Sequence, residues 1–295
     1  MFDLDQYLAE KVQAVERFLD GYLPPENAYP PAIHRAVRYS LFAGGKRLRP
    51  SLVMAAAEAV GGKDEDALAG AAAVEMVHTY SLIHDDLPSM DNDSLRRGQP
   101  TSHVVFGEAI AILAGDALLT HAFHLLATAP SSLDPTRRLR AVAVLAEAAG
   151  LAGLIGGQVV DLESEGVPVE AGTLEFIHRK KTGALMSAAV RLGALLGGGP
   201  EATVEMLAHF GSLIGQAFQI VDDVLDVEGD SAALGKTAGK DQKVAKATYP
   251  SLHGLEAARE RAAALVEEAR SQIAPLGPPA EPLRALARRV LERRS

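Results

Sequence analysis

The chain contains no cysteine, which excludes disulfides, thiolate nucleophiles and zinc–thiolate centres. It also lacks any apolar run of about 18 residues free of charge, the least that spans a bilayer as a helix, so no membrane span is expected. The opening Met1-Phe2-Asp3-Leu4-Asp5 is acidic and has neither the basic start nor the apolar stretch of a secretory leader, so a cytoplasmic protein is expected. Positive charge is in deficit: 29 Lys and Arg stand against 38 Asp and Glu, a net −9 at pH 7. That balance argues against nucleic acid and other extended polyanions as partners. Any phosphate site must therefore be a local basic cluster or be bridged by a metal.

Strand-like alternation of useful length is missing as well. Apolar positions instead recur every three to four residues, as in Leu4, Tyr7/Leu8, Val12, Val15 and Phe18/Leu19. The same period runs through 68–87, 108–128, 138–155, 204–227 and 254–272. Breakers fall between these stretches, at Gly21–Pro25, Tyr29–Pro31, Pro130–Pro135, Gly197–Pro200 and Pro275–Pro282. Hydrophobic residues make up 48% of the 295 positions, with Ala and Leu ahead of β-branched types, a mix that favours helix. Nothing marks a boundary, so residues 1–295 are expected to form a single all-α domain, a large helical bundle.

Two aspartate runs interrupt these apolar helices: Asp85-Asp86-Leu-Pro-Ser-Met-Asp91 and Asp222-Asp223-Val-Leu-Asp226. Burying adjacent carboxylates is costly unless a cation compensates them. Oxygen-only ligands point to Mg²⁺, which is held by few carboxylates and usually shares its coordination sphere with substrate phosphate. At about 100° per residue, Gln219, Asp222, Asp223 and Asp226 share one helix face. Pro88 should end the first helix, and the residues around it must bulge to return Asp91 to the side of Asp85.

Basic residues gather near these acids. Arg96 and Arg97 suit a diphosphate, each able to fork onto its oxygens; salt bridges back to Asp91 or Asp93 account for them equally well. Gly44-Gly45-Lys46-Arg47-Leu48-Arg49-Pro50 is a second cluster, without the spacing of a nucleotide P-loop. Lys180-Lys181-Thr182-Gly183 and Leu234-Gly235-Lys236-Thr237, with Lys240 and Lys246, add further cations. Gly156-Gly157-Gln158 and Asp161 place an amide and a carboxylate one turn apart, where a buried Gln requires partners, in the protein or in a substrate. His84 is expected to pack or to act behind a ligand rather than to bind metal.

Together these residues resemble the trans (head-to-tail) isoprenyl diphosphate synthases, from Gly44 to Pro250. The blocks that carry the likeness are His78-Thr-Tyr-Ser-Leu-Ile-His-Asp-Asp-Leu-Pro-Ser-Met-Asp91 with Leu95-Arg-Arg-Gly98, and Gln216-Ala-Phe-Gln-Ile-Val-Asp-Asp-Val-Leu-Asp226. The resemblance implies a bundle around a central substrate cavity. It implies that Asp85, Asp86, Asp91, Asp222, Asp223 and Asp226 hold three Mg²⁺ ions on an allylic diphosphate. Arg96, Lys181 and Lys236 would contact that diphosphate, and Lys46, Arg49, His78 and Arg97 would bind isopentenyl diphosphate. Thr182 and Gln219, with the Lys181 carbonyl, would face the developing carbocation. A homodimer is implied too, with the stretch 108–128 a possible interface.

Chain length should be set below the first aspartates. A helix rises about 1.5 Å per residue, so Ser81 lies roughly 6 Å and Tyr80 roughly 7.5 Å back from Asp85. The Tyr80-Ser81 pair is most similar to that of bacterial farnesyl diphosphate synthases, so a C15 product is expected, with C20 the alternative. A class I terpene cyclase fits less well because of Asp222-Asp-Val-Leu-Asp226 and the additional basic cluster at 44–49. A non-catalytic subunit fits less well because the aspartates, Arg96-Arg97 and Lys181 are intact, and an HD-type hydrolase because no further spaced His ligands accompany His84-Asp85. The basic tail Arg288-Arg289 and Arg293-Arg294 is expected to be solvated.

Overall fold

The computed structural model describes residues 2–128, 133–228 and 248–293. Its first half runs α1 (Leu4–Tyr22), α2 (Pro31–Leu41), α3 (Leu48–Ala59), α4 (Asp64–Asp85), β1 (Leu95–Arg96), β2 (Gln99–Pro100), α5 (Ser102–Phe106) and α6 (Glu108–Thr128). It continues with α7 (Pro135–Ala149), α8 (Leu154–Glu163), α9 (Ala171–Ile177), a π-helical turn (His178–Gly183), α10 (Ala184–Leu196) and α11 (Glu201–Glu228). Helices α12 (Tyr249–His253), α13 (Leu255–Gln272) and α14 (Glu281–Leu291) complete it.

Local chemistry accounts for where the helices begin. Asp3 accepts from the backbone N–H groups of Asp5 and Gln6 at the start of α1. Asp134 does the same for Thr136 and Arg137 at the start of α7, with Pro135 at the first helical position. α1 is amphipathic and buries only Tyr7, Lys11, Val15 and Leu19, whereas α3 and α4 are buried on nearly every side. Their Ala and Gly content lets neighbours approach closely: a Cβ on Gly193 of α10 would sit 2.1 Å from the Val53 carbonyl oxygen of α3. The fully buried Leu52, Met54, Met76, Leu118, Leu185, Met186 and Phe210 fill the space between α3, α4, α6, α10 and α11. Each such side chain contributes roughly 1.5–3 kcal/mol relative to exposure.

The all-α architecture is as expected, with two local departures. The apolar stretch 138–155 is not one helix: it breaks after Ala149, where Gly150 is extended and the Gly153 N–H turns back to the Gly150 carbonyl at 3.0 Å. Glu108–Thr128 and Pro135–Glu163 are apolar and long enough to cross a membrane by composition alone, each with mean hydropathy 1.6. The first carries Asp116 and packs along α4, and the second contains the break. The face of α6 away from α4 leaves Ile112 and Leu113 exposed, beside Val104 and Val105 of α5.

Candidate active site

The first aspartate run lies where α4 ends. The Asp86 N–H still reaches the Leu82 carbonyl at 3.1 Å, but Leu87 bonds His84 in a tighter turn and Pro88 stops the helix. The chain then folds back, and the Asp91 N–H donates to the Asp85 carbonyl at 2.8 Å. Asp91 is thus returned to Asp85, and the Asp93 N–H is likewise tied to the Asp86 carbonyl at 3.2 Å. The short β1–β2 pair follows, joined by Arg97 and Gly98 with φ of 53° and 76°. Two successive positive φ values give the hairpin handedness that twisted strands need, at a cost for the non-glycine Arg97.

Arg96 points from this hairpin into the Asp86 carboxylate: its Nε lies 2.8 and 2.9 Å from the two oxygens, and Nη2 lies 2.6 Å from one of them. The pairing is to Asp86, with Asp93 a distant second at 3.9 Å. Arg97 Nη1 donates to the Gly44 carbonyl, which locks the hairpin to the 44–49 cluster. Within that cluster the three cations separate. Arg47 is fully buried, bonds Glu75 at 2.6 Å and the Leu41 carbonyl at 2.6 Å, and is a structural cation. Arg49 Nη1 lies 3.4 Å from His78 Nε2, and Lys46 is exposed. Burial, then Arg49 and Arg97, hold His78 well below the usual imidazole range, so it is neutral here. Burial also lowers Arg49 and Lys46.

The π turn supplies the third element. Its Lys181 Nζ bonds Asp161 Oδ2 of α8 at 2.8 Å, and Thr182 Oγ1 donates to Gln219 Oε1 of α11 at 2.8 Å. A Cβ on Gly157 of α8 would lie 2.3 Å from the Lys181 nitrogen, so only glycine lets α8 approach the turn this closely. On α11, Gln219 Nε2 donates to Asp223 Oδ1 at 3.2 Å, while Asp223 Oδ2 accepts from the Tyr249 N–H at 2.7 Å and lies 3.3 Å from His178 Nε2. Both oxygens of Asp223 are engaged, so this carboxylate ties α11 to the π turn and α12. Asp222 and Asp226 are more exposed.

Electrostatics join the pieces into one region. Burial pushes Asp85 up to about 6; Lys181 opposes this and Asp91 adds to it. Asp86 is also raised by burial, against the pull of Arg96. Burial alone would lower Arg96, but its hydrogen bonds to Asp86 outweigh that and raise it. Lys181 thus acts on the first aspartate run, while its neighbour Thr182 is bonded to the helix of the second. Asp222 in turn attracts Lys46 and Arg49. A cavity of about 40 Å³ opens beside Asp86, Arg96 and Arg97.

The residues fit a hard divalent ion. The donors are oxygens only: Asp86 is buried, Asp85 is half-buried, and burial raises both carboxyls despite the pull of Lys181 and Arg96. Among the described residues no three His, Asp or Glu side chains converge into a metal-holding group by themselves. An ion here would complete its shell with phosphate oxygens and water, the habit of Mg²⁺.

The expected solvated tail requires correction. Arg293 lies 2.6 Å from Asp222 and its guanidinium stacks 4.0 Å over Phe218. Arg288 and Arg289 pair with Glu281 and Asp5 at the surface, while Arg294 lies outside the described residues, as do Lys236, Lys240 and Lys246. His84 packs as expected: its Nε2 is 3.0 Å from the Ile112 carbonyl of α6 and its ring meets Tyr80 edge to face. The π turn, the Arg293 contact and the burial of Arg47 have no signature in the local sequence pattern.

A helical bundle in which paired aspartates and a cation-bearing π turn enclose one electrostatically coupled region defines a metal-dependent enzyme of diphosphate esters. The polyprenyl synthetase profile matches residues 30–274, and the chain belongs to that family; it is a short-chain, Mg²⁺-dependent trans-prenyltransferase. It is 54% identical to the heterodimeric geranylgeranyl pyrophosphate synthase large subunit 1, chloroplastic, of Arabidopsis thaliana, over 92% of this chain and 74% of that one. A farnesyl/geranylfarnesyl (FPP/GFPP) synthase of Zymomonas mobilis superposes with TM-score 0.88 at 39% identity, covering 97% and 98% of the two chains. A geranyltransferase of Helicobacter pylori, complexed with magnesium and isoprenyl diphosphate, superposes with TM-score 0.87 at 33% identity, covering 99% of each.

Proposed function

We infer that the chain condenses isopentenyl diphosphate with an allylic diphosphate and that its end product is C20 geranylgeranyl diphosphate. This replaces the expected C15 product. The observation that carries it is the 54% identity to a geranylgeranyl synthase subunit. The geometry of α4 supports the longer product. At about 100° per residue Ser81 lies within about 40° of the Asp85 direction, while Tyr80 lies about 140° away. Tyr80 keeps company with His84, which is turned toward α6. Ser81 is small, and its hydroxyl is bonded back to the His78 carbonyl at 2.8 Å. The floor beneath Asp85 is therefore lower than a tyrosine directly in line would make it.

Asp85, Asp86 and Asp91 with Asp222 and Asp226 would hold Mg²⁺, and Asp223 would fix the second run in place. When bound, Mg²⁺ supplies positive charge to a departing diphosphate. Lys181 and Arg96 add cationic charge at the same region, in a site that is largely dry, where it counts for most. Thr182 and Gln219 present a polar pair, already hydrogen-bonded to each other, to the carbon that loses the diphosphate. Lys46, Arg49, Arg97 and neutral His78 would seat isopentenyl diphosphate, whose π bond attacks that carbon; the proton is then lost to released diphosphate. The exposed Ile112, Leu113, Val104 and Val105 support a homodimer through α6 and α5.

The test is product sizing. The purified chain is supplied with labelled isopentenyl diphosphate, Mg²⁺ and dimethylallyl, geranyl or farnesyl diphosphate in turn. C20 accumulates from all three if the reading is right. Arrest at C15, with farnesyl diphosphate refused as primer, overturns the chain length; turnover independent of isopentenyl diphosphate overturns the condensation.

A further inference from the structure

Thr182, Gln219, Asp223 and His178 close a ring of contacts whose sense one member fixes. Thr182 Oγ1 donates to Gln219 Oε1 at 2.8 Å, and Gln219 Nε2 donates to Asp223 Oδ1 at 3.2 Å. Asp223 Oδ2 accepts from the Tyr249 N–H at 2.7 Å and lies 3.3 Å from Nε2 of His178, which starts the same π turn that carries Thr182. Asp223 and His178 are each 6% exposed, whereas Thr182 and Gln219 are half-buried and can be reached.

A hydroxyl and a primary amide can each bond in either sense, but a carboxylate only accepts. Asp223 therefore demands Nε2 of Gln219, which turns Oε1 toward Thr182, and Oε1 in turn demands the Thr182 proton. The Thr182 hydroxyl is left with lone pairs, and no proton, for its open side. An oxygen presented that way stabilises positive charge on a neighbouring carbon, whereas the reversed ring would present a proton and oppose it. Asp223 has no oxygen to spare for another task. Asp222 and Asp226 lie about 40° apart around α11, while Asp223 is turned about 60–100° from them, toward the π turn.

We propose that Asp223, steadied by His178, is a positioning residue rather than a metal ligand. It sets the sense of the Thr182–Gln219 hydrogen bond, and so the sign of the charge shown to the carbon that loses the diphosphate. This rests on the functional reading given above.

Asp223→Asn keeps the shape and reverses the demand. Its oxygen stays with the Tyr249 N–H, its NH₂ faces Gln219, and Gln219 must flip to answer it, giving Nε2 to Thr182. Steady-state kinetics should show kcat about a hundredfold lower, with the KM values for both diphosphates within about twofold of wild type. Calorimetry with inorganic pyrophosphate in excess Mg²⁺ should find binding within about twofold of wild type. Thr182→Val/Asp223→Asn should be no slower than Thr182→Val, because a hydroxyl that is gone has no sense to lose. His178→Gln retains an N–H for Asp223 and should recover most of the kcat that His178→Ala loses. That pair reads the same network if Asp223→Asn does not fold. Pyrophosphate binding about tenfold or more weaker in Asp223→Asn would make Asp223 a metal ligand and overturn the proposal. So would losses that multiply in the double variant, or a His178→Ala protein that turns over like wild type. Wild-type protein that binds Mg²⁺–pyrophosphate but condenses nothing overturns the reading of the site, and the proposal with it.

Discussion

Lys46, Arg47 and Arg49 are consecutive cations of one motif, yet the structure gives Arg47 a different task, and Arg47→Met tests that division. The Arg47 side chain has 0% exposure and Glu75 has 2%, with 2.6 Å between them. Removing one member of such a pair strands a buried charge, a cost of about 3–5 kcal/mol. Unfolding entropy near 2.1 cal/mol/K per residue gives about 0.6 kcal/mol/K for 295 residues. The melting temperature should therefore fall by about 5–8 °C. The double variant Arg47→Met/Glu75→Met removes both charges and should recover most of the loss. About 1 kcal/mol should remain, because the Leu41 carbonyl that Arg47 also bonds stays unpartnered. Scanning fluorimetry and urea unfolding on the three proteins measure this, with steady-state kinetics below the melting range. The folded fraction of Arg47→Met should keep the wild-type KM for isopentenyl diphosphate. A double variant as unstable as the single, or a single that melts normally but binds isopentenyl diphosphate poorly, refutes the reasoning.

The acid–base state of Asp85 makes a second prediction. Its carboxyl holds a proton to about 6, against 3.8 for an unperturbed Asp, so the unfolded state binds fewer protons between those values and stability of the metal-free protein falls as pH rises through them. Asp85→Asn should therefore raise the metal-free melting temperature at about pH 7.5 and not at about pH 4; an offset independent of pH contradicts the assignment. Replacing Ser81, which lies in line beneath Asp85, by Phe should raise the floor and move products from C20 toward C15; an unchanged distribution on chromatography would show that position 81 does not form the floor. Arg293→Ala frees Asp222 from a cation that competes with Mg²⁺, so Mg²⁺–pyrophosphate should bind a few-fold tighter by calorimetry; weaker binding would mean that Arg293 serves the ligand rather than blocking it.

The helical period, the breakers and the stop at Pro88 were legible in the sequence because they are local: a helix is specified by neighbours three and four residues apart and by its caps. For the same reason the return of Asp91 to Asp85 could be anticipated from the residues around Pro88, and the paired aspartates announced a cation by their chemistry. The choice of partner for each charge was not local. Arg96 closing on Asp86, Arg47 withdrawn onto Glu75, Asp223 tied to Tyr249 and Arg293 brought to Asp222 join positions 10 to 71 residues apart. Periodicity does not say which face of one helix meets which face of another. The π turn that carries Lys181 and Thr182 likewise depends on the close approach of α8 at Gly157, which the packed bundle alone provides.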